Sequence, residues 1–161
     1  MSRKRKQSEI DPDIAEAADM NMAHMIAVSK ARAKEREECV FCGLVETKKR
    51  FILDTKHLFL MKDAFPVVHD HLLIVSKEHL PGCLDLPDVA WLEIPELIKA
   101  GLGMVKLYDP SVESFNLGHN SGIIAGQTVM HCHFHLFPRR KGDVKNPRGG
   151  IRNFKKPIVP Y

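Results

Sequence analysis

Val129-Met130-His131-Cys132-His133-Phe134-His135-Leu136-Phe137 places three histidines at every second position of an otherwise apolar run. Side chains alternate across a strand, so His131, His133 and His135 share one face, each roughly 6.5–7 Å from the next. Met130, Cys132, Phe134 and Leu136 take the opposite face, toward an expected core. Three imidazoles aligned in this way suit metal ligation or a division of catalytic labour.

Just upstream, Asn120-Ser121-Gly122-Ile123-Ile124-Ala125-Gly126-Gln127-Thr128 forms a loop with two glycines. Such glycines permit tight turns and let backbone N–H groups approach an anion. Gln127 and Thr128 add side-chain donors, so the loop reads as an anion cradle beside the histidines. The next strand signals are Phe115–Gly118, Leu72–Val75, Leu58–Lys62 and Phe51–Asp54, and from Cys39 onward the pattern reads as short strands. Asp88–Tyr108 reads as helical, with Pro95 restarting it as a first-turn residue. Strands interrupted by one helix predict an α+β fold with an antiparallel sheet. Residues 11–38 read as a helical extension with Asp11 as N-cap and Pro12 at its first position. Ile14, Ala18, Met22, Met25 and Val28 give it an apolar stripe suited to packing on the domain or a partner chain.

The 161 residues suffice for one domain, residues 39–161, behind an extension of residues 1–38 with a disordered basic start. No apolar run approaches the ~18 residues of a membrane span, and the start lacks the apolar stretch of a signal peptide. A cytoplasmic protein without membrane contact is expected. Charge cancels over residues 1–38, is −3 over 39–138 and +7 over 139–161. The basic tail, beginning at Arg139 and Arg140 directly after the histidine strand, attracts phosphates of a nucleotide or a nucleic acid. The four cysteines form no disulfide framework in such a chain. Cys39 and Cys42 make a C-x-x-C pair, either half a zinc site or a redox pair, although no βαβ unit is visible to support the latter.

The stretch N-x-G-x-x-A-G-Q-T-V-x-H-x-H-x-H followed by Pro138-Arg139 resembles the signature of the histidine triad (HIT) superfamily. Cys39-Val40-Phe41-Cys42 resembles the opening of its zinc-containing bacterial members. Phe65-Pro66 through His79 resembles the strand ending in P-K-x-H, and Gly142 to Arg152 the bacterial C-terminal segment. The resemblance covers most of residues 39–161. It implies an antiparallel α+β fold, a homodimer, and nucleotidyl chemistry at an α-phosphate on a nucleotide substrate. His133 would be the nucleophile that forms a covalent nucleotidyl-histidine, with its other ring nitrogen tied to an acceptor. His135 would donate to a phosphate oxygen. Gln127, Thr128 and backbone amides near Gly126 would hold the same phosphate. Asp63 matches the ribose-binding position, Asn120 a further polar nucleotide contact, His71 a fourth histidine, and Phe41 and Leu44 the base pocket. Cys39, Cys42, His79 and His131 match the ligands of a structural Zn2+.

The sequence departs from the family at two turns. The usual P-G-H is Val68-His69-Asp70-His71, which makes His69 a rival for the role of His71, and P-K-x-H is Ser76-Lys77-Glu78-His79. Shared nucleophile and cradle leave a hydrolase of a dinucleoside polyphosphate or a nucleoside phosphoramidate beside a transferase or phosphorylase. A zinc-containing nucleic-acid-binding module is less favoured, because it needs neither Gln127 nor Thr128 beside three histidines and lacks aromatic stacking residues.

Overall fold

The computed structural model describes residues 12–152. The basic start, Asp11 and the tail from residue 153, with Lys155 and Lys156, lie outside the described residues, as do the side chains of Ile14, Ala18 and Met22. The chain divides into two units, Met1–Glu38 and Cys39–Tyr161. The first carries α1 (Pro12–Glu38), a helix of 27 residues. Proline opens it where its missing N–H has no intrahelical partner to lose. Met25, Ile26 and Val28 are exposed on it.

The second unit holds α2 (Val40–Thr47), β1 (Leu53–Asp54), β2 (Leu58–Lys62), β3 (Leu72–Ser76), α3 (Asp88–Trp91), α4 (Ile94–Tyr108), β4 (Val112–Gly118) and β5 (His133–Arg140). The strands form one sheet in the order β1-β2-β3-β5-β4, and every pairing is antiparallel. Pro95 falls in the first turn of α4, as its fixed φ favours. Among the described residues no helix is long and apolar enough to cross a membrane.

Leu72 to Ser76 are all buried, because β3 is central and covered on both faces. Leu58, Leu60, Leu72, Ile74, Phe134 and Leu136 face one way, against Ala90, Ile94, Leu97 and Val105 of the α3–α4 layer. Phe59, Met61, Leu73 and Val75 face the other way, against Phe41, Leu44 and Val45 of α2. Two-sided burial turns the strand pattern from alternation into a continuous apolar run.

Two expectations are corrected here. Residues 40–47 are helical, not strand-like. The histidine strand starts at His133 rather than Val129, so Met130 lies outside the alternating register and is 45% exposed instead of in the core. Cys132, Phe134 and Leu136 do enter the core as the alternation requires.

Candidate active site

β5 lies between β3 and β4, with Val75 opposite His133 and Leu73 opposite His135. Their side chains therefore stand on the α2 face of the sheet. Nδ1 of His133 donates to the backbone carbonyl of His131 at 2.7 Å. That bond fixes the tautomer and leaves the lone pair on Nε2. His133 is buried, and burial pushes its pKa below the ordinary histidine value, with the His131 carbonyl opposing. Phe41 packs against the His131 and His133 rings, with centroids 5.5 and 5.2 Å away.

His119 is missing from the sequence expectations, because it stands outside the alternating run; its one signal was adjacency to Asn120. Its Nδ1 donates to the carbonyl of His133 at 2.7 Å, and its Nε2 accepts from the Cys83 N–H at 3.2 Å. It thus braces the backbone that carries His133.

His135 Nδ1 lies 3.1 Å from His71 Nε2, and His71 Nδ1 lies 3.1 Å from Asp63 Oδ2. The latter approach is off the hydrogen-bond direction, so the buried Nδ1 has no hydrogen-bond partner. The other Asp63 oxygen accepts from the Phe65 N–H at 2.8 Å, closing the turn after β2. Of the rival histidines, His71 is buried and meets His135, whereas the His69 side chain is 79% exposed and paired with Asp70. Burial lowers the pKa of His71, with Asp63 opposing. Burial, followed by the neighbouring His133 and His71, brings His135 down to about 4.

The sign of that shift predicts acid sensitivity. Between the depressed value and the ordinary ~6.5, the unfolded chain binds the extra proton and the folded one does not. The His135 contribution is complete above pH ~6.5 and is lost as pH falls toward ~4, reaching about 2 kcal/mol at pH 5. Urea unfolding at pH 7.5 and 5.0 checks this: His135→Asn should lose clearly less stability across the interval than the wild type. Equal losses would rule the contribution out.

The loop 122–128 folds around a 3-10 turn, Ile123–Ala125, between Gly122 at φ 85° and Gly126 at φ 90°. These angles are open to glycine at little cost. The expected anion cradle is only partly there. The Gly126 N–H donates to Ile123 O and the Gln127 N–H to Gly122 O, so both are consumed within the loop. The buried Gln127 side chain donates to Pro81 O at 2.7 Å and Val129 O at 3.0 Å, and accepts from the Gly122 N–H at 2.7 Å. Gln127 thus shapes the loop rather than offering a donor. Thr128, Asn120 and Gly126 line a cleft of about 900 Å³ together with Asp63, His71, His119, His133 and His135. Phe41 and Leu44 pack in the core beneath α2 and are not among its walls.

Phe65, Val67, Ile124 and Ile151 supply apolar wall, and all four are exposed. No lysine or arginine lines the cleft among the described residues. Two of the cations expected near the phosphates are engaged elsewhere: Arg139 forks onto Asp143 at 2.7 and 2.8 Å, and Arg140 bonds Asp109 at 2.7 Å and Asp70 at 2.9 Å.

Cys39, at the N-terminus of α2, and Cys42 in its first turn face His79 and His131. The C-x-x-C thus does open a helix, but it faces two imidazoles. Cys39 Sγ lies 3.4 Å and Cys42 Sγ 3.6 Å from His131 Nδ1, and Cys42 Sγ lies 3.2 Å from His79 Nδ1. A tetrahedral zinc with ligands at ~2.0–2.3 Å separates sulfur from nitrogen by roughly 3.5 Å, so the set fits the ion. His131 Nε2 donates to Ser76 O at 2.7 Å, which aims the Nδ1 lone pair at the thiols.

Comparison with known proteins identifies the family of the fold. The HIT domain family matches residues 45–142. An uncharacterized HIT-like protein of Methanocaldococcus jannaschii is 29% identical over 107 residues, covering 65% of this chain and 81% of the relative. An adenosine 5'-monophosphoramidase of Candida albicans is 31% identical over 107 residues, covering 63% and 70%. The crystal structure of a zinc-bound histidine triad family protein from Mycobacterium smegmatis superposes with a TM-score of 0.58 at 26% identity, covering 67% of this chain and 79% of that one. With the family matched across more than half of its length, this chain belongs to the HIT domain family.

Proposed function

We propose that the protein is a nucleotide hydrolase that splits an adenylated substrate at its α-phosphate, with a neutral or apolar leaving group such as the amine of a nucleoside phosphoramidate. The observation that carries this reading is the 2.7 Å bond from His133 Nδ1 to His131 O, which keeps the Nε2 lone pair in a buried imidazole on the cleft wall. Nε2 attacks phosphorus; the Nε2–P bond forms, the P–N bond breaks, and the amine leaves after taking one proton from solvent, which the later release of a water proton returns. Water then attacks phosphorus, the electron pair returns to Nε2, and the mononucleotide departs with one water proton released. The nucleotidylated ring carries positive charge, which the His131 carbonyl stabilises.

His135, neutral near pH 7, donates from Nε2 when its Nδ1 accepts from His71 Nε2. The unbonded His71 Nδ1 beside Asp63 offers a place for the proton that moves during the cycle. Asp63 and Asn120 hold the nucleoside, and Thr128 the phosphate. Zinc held by Cys39, Cys42, His79 and His131 is structural, since four protein ligands close the tetrahedron. The name of the Candida relative, an adenosine 5'-monophosphoramidase, supports the substrate class.

The absence of lysine and arginine from the cleft wall among the described residues separates the two substrate classes left open by the sequence. A polyphosphate leaving group brings charge beyond the α-phosphate that no described wall residue neutralises. Adenosine 5'-phosphoramidate is therefore expected to exceed diadenosine tetraphosphate in kcat/KM by at least about 10-fold, or roughly 1.4 kcal/mol. Steady-state assays of both checks it; a preference for the polyphosphate would reverse the assignment.

A further inference from the structure

Asp70 holds a left-handed backbone, φ 60°, immediately before His71. A β-carbon disfavours that conformation, though aspartate tolerates it better than most residues. Glycine at this position would carry none of that strain; with aspartate something must hold the turn. Arg140 Nη2 donates to Asp70 Oδ2 at 2.9 Å, His69 Nδ1 lies 2.6 Å from the same oxygen, and Lys62 Nζ lies 3.7 Å from Oδ1. The guanidinium also donates through Nη1 to the His69 carbonyl at 3.1 Å and through Nε to Asp109 Oδ2 at 2.7 Å.

Asp109 caps α4, and its own N–H donates to Val105 O at 2.8 Å. One side chain therefore fastens the end of α4, the 69–70 backbone and β5 together. Arg140 sits on the strand that carries His135, whose Nδ1 meets His71 Nε2 at 3.1 Å. The strand bearing one imidazole of the pair thus also bears the arginine that fixes the stem of the other. Planar fork geometry suits this job better than a point charge.

We propose that Arg140 is a positioning residue: acting through Asp70, it holds the 63–71 segment so that His71 meets His135. The consequence for turnover rests on the proposed hydrolase reading. The test measures kcat and KM for adenosine 5'-phosphoramidate, each variant well below its own melting temperature. Arg140→Ala should lower kcat about 10-fold with little change in KM, because sub-ångström misplacement of reacting groups acts on the chemical step. Arg140→Lys should fall between, keeping the charge without the fork.

Adding Asp70→Gly to Arg140→Ala should restore kcat to within about 3-fold of the wild type, because glycine takes a positive φ without a partner. The double variant should also regain part of any thermal stability lost, since the strained aspartate is gone, and measuring every variant well below its melting temperature separates positioning from bulk support. Wild-type kcat in Arg140→Ala, or a loss that glycine leaves unrepaired, would overturn the proposal. If Arg140→Ala does not fold, the same comparison is made with Arg140→Lys and Arg140→Lys/Asp70→Gly. Imidazole nitrogen NMR gives a readout independent of substrate. The His71–His135 hydrogen-bond signature should vanish in Arg140→Ala and return with Asp70→Gly. An unchanged signature overturns the clamp, whereas a wild type inert toward the phosphoramidate overturns the hydrolase reading alone.

Discussion

Replacing His133 with alanine is expected to lower kcat for adenosine 5'-phosphoramidate by at least about 10³-fold while changing nucleotide affinity only a few-fold. In the proposed mechanism the side chain supplies the attacking nitrogen, whereas Asp63, Asn120 and Thr128 remain on the cleft wall. A rapid alkaline quench of the wild type should trap a nucleotidyl adduct on His133, located by mass spectrometry after digestion and absent from the variant. Because the His133 backbone stays bonded to His119 through its carbonyl, the fold around it should persist. Retention of more than about a tenth of wild-type turnover would exclude a covalent route through this residue.

The largest effect on stability is expected from the Cys39, Cys42, His79 and His131 cluster. Cys42→Ser should abolish stoichiometric zinc binding and lower the melting temperature by at least about 10 °C, since binding energy to the native site is folding energy. Stripping zinc from the wild type with a chelator should reproduce most of the drop, which separates the metal from the substitution itself. His131 gives a second reason to expect a broad effect. It offers Nδ1 to the thiols, donates Nε2–H to Ser76 and lends its carbonyl to His133. Loosening the metal site should therefore also loosen the tautomer of His133. A wild type that purifies without metal, together with a Cys42→Ser variant melting within about 2 °C of it, would remove zinc from the account.

Alternation along β5 is visible in the chain because a strand presents successive side chains to opposite faces whatever surrounds it. Leu58–Lys62 and Leu72–Val75 were equally readable, as runs too apolar for anything but a covered sheet. The helix Val40–Thr47 was not. Eight residues including Gly43 fall below the length at which a helix signals itself, and this one is stabilised by packing against Phe59 and Val75. The partners of Gln127 and Arg140 were hidden for another reason. Gln127 reaches Pro81 across 46 positions, and Arg140 reaches Asp109 and Asp70 across 31 and 70. A polar side chain advertises its bonding capacity in sequence but not which distant group will use it. The same holds for His119, whose worth depends on its place beneath the His133 carbonyl.

His133, the proposed nucleophile, rides on a strand paired on both sides, while Phe65, Val67 and Ile124 belong to connecting segments. Connections tolerate substitution and insertion far better than central strands do. On the proposed reading, bond cleavage and the apolar wall that would meet the leaving group lie in separately mutable stretches of chain. Descendants of such a protein can exchange one leaving group for another through loop drift while the cleaving strand stays as it was. The arrangement makes substrate preference evolvable without passing through an inactive ancestor.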